Sequence, residues 1–196
     1  NETDNLKRGG SDYTASLIGA AIRAEEIQIW TDIDGMHNND PREVSGTRSV
    51  KHLSFNEAEQ LAFYGAKILH PFCIAPARKR NIPVRLLNSM NPQAEGTLIS
   101  DLQDDNIIKA IAAKDNIFYV KFESKHSLCP YQFISKIFDT FAKYRTPLCL
   151  LVSSNQGVSV AIDNSERLCK ILAELEQYAK ILTEDRMSIV SVVGNI

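Results

Sequence analysis

The sequence predicts an α/β domain followed by an α+β region of ferredoxin-like plan, and three observations carry this. Across residues 1–100 helix and strand signals alternate, as they do in a βαβ sheet. After the polar stretch 101–106, DLQDDN, the units shorten, and from Leu128 onward they read β-α-β-β-α-β. Arg8-Gly9-Gly10-Ser11-Asp12 stands at a helix start and Thr31-Asp32-Ile33-Asp34-Gly35 at a strand end, where α/β proteins place their ligands.

Composition narrows the function classes. The 196 residues are 44% apolar and 23% charged, the proportions of an ordinary globular protein. No apolar run approaches the ~20 residues that span a bilayer, and the polar start NETDNLKRGG is not a signal peptide, so a cytoplasmic location away from membranes is expected. A formal net charge of −2 with no basic stripe gives no attraction to nucleic acid. Cys73, Cys129, Cys149 and Cys169 are far apart in apolar segments and read as reduced, buried thiols. His37, His52, His70 and His126 show no metal-ligand spacing, so no metal held by histidines is expected.

In the first region, Ser11 is placed to cap a helix from Asp12, with Ala15, Ile18, Ala21 and Ile22 as its apolar stripe. Residues 26–30, EIQIW, form a β-prone run that delivers Thr31, Asp32 and Asp34 to its carboxyl end, and the polar loop HNNDPRE brings His37, Asp40 and Arg42 over the same edge. Ser54-Phe55-Asn56-Glu57 is a capping box with Leu53 ahead as a staple, opening a helix that turns Ala58, Leu61 and Ala62 inward and ends at Gly65. A short helix is expected from Pro71 through Ile74, Ala75 and Ala77, then strands at 82–88 and 97–99 separated by turns at Asn91-Pro92 and Gly96.

In the second region, strands are expected at 107–112 and 117–123. A helix from Pro130 follows, with Phe133, Ile134, Ile137, Phe138 and Phe141 on one face. Strands at 148–153 and 158–162 flank the turn Asn155-Gln156-Gly157. A helix after Asp163 or Asn164 buries Leu168, Ile171, Leu172 and Leu175, and strands at 179–183 and 188–193 close the chain. The first strand of the ferredoxin-like run would be short.

Taken alone, Arg8-Gly9-Gly10 is either an anion cradle, with free N–H groups and the helix dipole behind it, or a plain loop entering a helix. Asp32 and Asp34 are either ligand contacts or turn formers, and Lys67 either a phosphate contact or a helix-dipole partner. The motifs RGGSDYTA, TDIDG with DPR, GAKILHP, IPVRLLNS and GTLIS, in this order and spacing, resemble aspartokinases of the amino-acid kinase superfamily. Residues 101–196 resemble their paired ACT regulatory domains, including the closing IVSVVG.

The resemblance implies an α/β carboxyl-terminal half of an amino-acid kinase fold over residues 1–100, and α+β ferredoxin-like ACT domains over 101–196. One ACT domain would cover about 128–186, inserted in an incomplete second one made of about 107–127 and 187–196. It further implies ATP-dependent phosphorylation of the β-carboxylate of L-aspartate, in the biosynthesis of lysine, threonine and methionine, by positioning and charge neutralisation with ATP and Mg²⁺. Arg8, Gly9, Gly10, Ser11 and Asp12 would hold the aspartate; Thr31, Asp32, His37, Arg42 and Lys67 would contact the nucleotide; Lys67 and Asp12 would be catalytic. Ser127, Cys129, Pro130, Phe133, Ile134, Leu148 and Cys149 would hold an amino-acid effector, lysine ahead of threonine, in a homodimer paired through ACT domains.

Two positions depart from the family pattern, Lys7 where glycine is usual and His37 where an aromatic is usual. Cys149 stands where lysine-sensitive relatives often have aspartate. Both ends read as cut, and the family's amino-terminal K-x-G-G phosphate motif belongs to a half of the kinase domain expected to lie outside this sequence, so the polypeptide alone is expected to be inactive. Alternatives are a stand-alone amino-acid-binding ACT dimerisation module and a kinase for another amino acid such as glutamate.

Overall fold

The structure is a computed structural model that describes residues 9–65, 69–70, 73–102, 108–125, 130–154 and 157–195, Pro130 by its backbone alone. The chain divides into two compact units, residues 1–113 with 190–196, and residues 114–189.

The first unit holds α1 (Gly10–Ile22), β1 (Ile27–Thr31), β2 (His52–Ser54), α2 (Phe55–Phe63), α3 (Ala75–Lys79), β3 (Val84–Asn88) and β4 (Thr97–Ser100). Its sheet runs β1-β3-β4-β2. The pairs β1·β3 and β2·β4 are parallel, as alternating helices and strands require, while β3·β4 is antiparallel. The sheet is therefore mixed, because β3 and β4 follow each other with no helix between them to carry the chain back. Strand β2 had no sequence signal: with three residues it is too short for an alternation to register.

The face of α1 differs from expectation. Ser16, Gly19 and Ala20 are buried, while Ile18 and Ile22 are 55% and 70% exposed. The reason is close packing. A Cβ on Gly19 would stand 2.5 Å from the Ile27 side chain, so helix and strand approach more closely than the isoleucines would permit. The helix also starts earlier, at Gly10, with Gly9 in the left-handed conformation as its N-cap; the Ser11 hydroxyl donates to Asp12 and caps nothing. The capping box of α2 forms as read: Ser54 Oγ accepts from the Glu57 N–H and Glu57 Oε2 accepts from the Ser54 N–H. Gly65 follows the helix with a positive φ of 132°. Helix α3 begins at Ala75, later than the expected Pro71, which lies outside the described residues. Ile27, Ile29, Leu53, Phe55, Leu61, Ile74, Val84, Leu86 and Ile99 form the core.

The second unit is built on β5 (Ala110–Ser124), α4 (Pro130–Lys143), β6 (Leu150–Ser154), β7 (Gly157–Ile162), α5 (Leu168–Leu175) and β8 (Ala179–Val193). The order β-α-β-β-α-β with sheet order β6-β7-β5-β8 is ferredoxin-like. Its first strand is the long β5, and the short strand expected near Leu128 lies outside the described residues. The boundary between the units runs through β5 and β8.

Each of these strands replaces two expected ones. Residues 113–116 and 184–187 lie between the expected strands, yet the strands continue through them, with Asn116 at φ 58° and Arg186 at φ 55°. One left-handed residue kinks a strand locally without ending it. Helix α5 starts at Leu168, later than expected, because Asn164 Oδ1 accepts from the Glu166 N–H and Leu168 N–H donates to Ser165. Phe133, Ile137 and Phe141 of α4 pack with Val120, Phe122, Val158, Val160, Ile162, Leu168, Ile171 and Leu175. Phe138 is instead 44% exposed, and the rings of Phe122 and Phe141 meet edge to face at 6.3 Å.

Candidate functional site

Helix α1 and strand β1 are joined by residues 23–26 alone, so the helix runs one way and the strand returns against it. The amino end of α1 and the carboxyl end of β1 therefore face the same side of the first unit. This brings Gly9, Gly10, Ser11 and Asp12 to the side that also carries Thr31, Asp32 and Asp34. Strand β3, parallel to β1, ends there too, at Asn88.

Gly9 is held by its surroundings. Its φ is 80°, its carbonyl accepts from the Tyr13 N–H and from the Cys73 thiol, and an added Cβ would lie 2.6 Å from His70 Cβ and 2.9 Å from Cys73 Sγ. Only glycine fits. Burial pushes the Cys73 thiol up to about 11, with the Asp12 carboxylate adding to the shift.

At the strand edge, the Thr31 hydroxyl accepts from the Ile33 N–H, and the Thr31 carbonyl accepts from both the Ser89 hydroxyl and the Ser89 N–H. The Asn88 side-chain amide donates to Asp34 and accepts from the Met90 N–H. Asp32 is exposed. Thr97, wholly buried, accepts from the Met36 N–H at 2.9 Å and donates to the Val50 carbonyl at 2.6 Å, pinning the loop that follows Asp34. Asn88, Ser89 and Thr97 were not identified as site residues from sequence, although Asn88 and Ser89 directly end a strand-like run whose neighbour carries the aspartates.

Other expected contacts are engaged locally. The Arg42 guanidinium makes a two-pronged bond to Asp40, at 3.0 and 2.8 Å. His37 Nδ1 lies 3.1 Å from the Thr47 hydroxyl, while its Nε2 is enclosed with no hydrogen-bond partner among the described residues. Arg8 and Lys67 lie outside the described residues. Among the described residues no three His, Cys, Asp or Glu side chains gather to hold a metal ion.

In the second unit the expected effector residues fall in two hydrophobic clusters or outside the described residues. Ser127 and Cys129 lie outside the described residues, and Pro130 begins α4. Phe133 is buried in the core, with Ile134 and Leu148 packed against it. Cys149 belongs to a different cluster, with Ile117 and Ala161. There Lys114 Nζ stands 2.6 Å from Asp163 Oδ2 and 3.6 Å from Cys149 Sγ, a grouping that the sequence reading did not find.

A family model described as the amino acid kinase family matches residues 1–88. Over 97% of its own length the chain is 38% identical to aspartokinase 3, chloroplastic, of Arabidopsis thaliana, and covers 36% of that protein. It is 31% identical to lysine-sensitive aspartokinase 3 of Escherichia coli, over 98% of the chain and 45% of the relative. The crystal structure of E. coli aspartokinase III in complex with aspartate and ADP superposes with a TM-score of 0.87 at 31% identity, over 96% of this chain and 44% of that one. The Clostridium acetobutylicum aspartate kinase superposes with a TM-score of 0.85 at 28% identity. The chain thus spans less than half the length of these relatives.

Proposed function

From a chain related to the aspartokinases along 97% of its length, we propose one wall of an aspartate kinase site and the unit that regulates it. The observation that carries this is the shared edge. The glycine turn at the start of α1 and the carboxyl end of β1 face the same side, which supports reading the helix amino terminus as a carboxylate site and the acidic strand end as a ligand edge. A module that only binds an amino acid needs neither, so this arrangement favours the kinase reading.

In the whole enzyme Arg8, the Gly9 and Gly10 backbone and Ser11 would hold the aspartate carboxylate, with Asp12 against its ammonium. Thr31 and Asp32 would contact the nucleotide, Arg42 joining them on leaving Asp40. Lys67 would neutralise charge on the moving phosphoryl group, so that the β-carboxylate of aspartate attacks in line. Mg²⁺ would be held mainly by the ATP phosphates, in keeping with the ion's preference for phosphates, water and one or two carboxylates. The E. coli relative has been crystallised with aspartate and ADP, and also with lysine and aspartate, which supports these ligands as first choices.

Residues 101–196 would act as the ACT regulatory region, with lysine ahead of threonine as effector and a second copy as its dimer partner. The chain alone would not turn over, since it spans only 36–45% of the relatives' length. Two measurements test the reading. Thermal melting of the chain should show a higher midpoint with lysine, by about 2.7 kcal/mol of stabilisation at about 100 times Kd. ADP release with aspartate and ATP should stay at background; turnover by the chain alone, or a shift with threonine and none with lysine, would overturn the corresponding part.

A further inference from the structure

We propose that Lys114, Cys149 and Asp163 form an oxidant-responsive cross-linking site in the second unit. Peroxide takes the Cys149 thiol to a sulfenic acid, and the Lys114 nitrogen captures it as a sulfenamide. The three side chains come from three different places: Lys114 from β5, Cys149 from just ahead of β6, and Asp163 from just after β7. Lys114 Nζ lies 3.6 Å from Cys149 Sγ and 2.6 Å from Asp163 Oδ2. The Cys149 backbone N–H donates to the Ala161 carbonyl at 2.8 Å, which ties that end of the pair to β7. Cys149 itself is 8% exposed, but the Lys114 and Asp163 side chains are 24% and 34% exposed, leaving an approach for a small oxidant from the lysine side.

The chemistry balances without a further reagent. Hydrogen peroxide gives one oxygen to the thiol and leaves as water, which oxidises the sulfur by two electrons. One proton of the Lys114 ammonium first passes to the Asp163 carboxylate, against the ion pair that holds the lysine charged, and the freed amine attacks that sulfur; the S–O bond breaks, and the hydroxide leaves as water with a second lysine proton. Asp163 then gives its proton to solvent. The product lacks two hydrogens relative to the reduced chain. Added thiol attacks the S–N bond, returning the amine and a mixed disulfide, and a second thiol restores Cys149.

Burial raises the Cys149 thiol, against the opposing pull of Lys114, so its oxidation is slower than that of the exposed Cys169. The two cysteines differ in fate as well as rate. Cys169, with no lysine bond among the described residues, runs on to the sulfinic and sulfonic acids, whereas capture protects Cys149 from them.

The full chain is treated with hydrogen peroxide, alkylated, digested and mapped by mass spectrometry. The expected product is a peptide joining Lys114 to Cys149, two hydrogens lighter than its parts and released by dithiothreitol. It is lost in Lys114→Met and Cys149→Ser, with circular dichroism reporting that both variants fold. Cys149 sulfinic acid beside an unmodified Lys114, or an unchanged Cys149 after Cys169 is fully oxidised, overturns the proposal. Lys114→Arg separates charge from nucleophilicity: it keeps a cation beside Asp163, and survival of the cross-link in it would also overturn the assignment.

Discussion

The Lys109 ammonium lies 3.0 Å from the Glu57 carboxylate, and the two side chains are only 2% and 9% exposed. The same carboxylate oxygen accepts the Ser54 N–H at 2.7 Å, so one atom closes the cap of α2 and holds a buried cation. Lys109 is tied at its backbone as well, donating to the Val193 carbonyl at 2.9 Å. Removing one partner leaves a charge with no water to solvate it. Lys109→Met should therefore destabilise the chain by roughly 3–5 kcal/mol. The double variant Lys109→Met with Glu57→Gln, which removes both charges, should recover most of the loss in urea unfolding.

The pair also sets a pH dependence. Burial works to raise the Glu57 carboxyl, but the Ser54 N–H and Lys109 outweigh it, and the net shift is downward from 4.5. A carboxyl with a depressed folded value contributes stability above its unfolded value and loses it as pH falls through the folded one. The stability difference between the parent and Glu57→Gln should be constant from neutral pH down to about 5 and shrink below the ordinary carboxylate range. Urea midpoints across that range check it.

Gly9→Ala should lower stability by roughly 1–3 kcal/mol, from a left-handed backbone and from contacts with His70 and Cys73 that cannot open cheaply. Loss of the α1 start would appear as a lower thermal midpoint. A neutral result would mean that the turn is free to rearrange.

Thr97→Val keeps the shape of a wholly buried side chain and deletes its hydroxyl. The Met36 N–H and the Val50 carbonyl lose this partner, at a cost of roughly 1–3 kcal/mol. Faster amide exchange at Met36, measured by NMR, should accompany the loss.

Cysteine alkylation should be ordered by exposure and thiolate character. Cys169 is exposed and should react first with iodoacetamide at pH 8. Cys73, 2% exposed with a thiol near 11, should react only on unfolding. Peptide mapping over time reads the order.

The alternation of helix and strand, the capping box at Ser54 and Glu57, the helix from Pro130 and the ferredoxin-like order were all legible in the residues. Each is written in local chemistry: a hydroxyl three residues before a carboxylate, an apolar face at helical spacing, a β-prone run before an aspartate. The tertiary structure decided what local chemistry leaves open. It chose the small-residue face of α1 over its isoleucines, because Gly19 allows a closer approach to Ile27. It carried β5 and β8 through the polar stretches left between the expected strands, since pairing along a sheet outweighs one residue's preference. It brought Asn88 to Asp34, Lys109 to Glu57 and Lys114 to Cys149 across 54, 52 and 35 residues of chain, separations over which a sequence pattern carries no register.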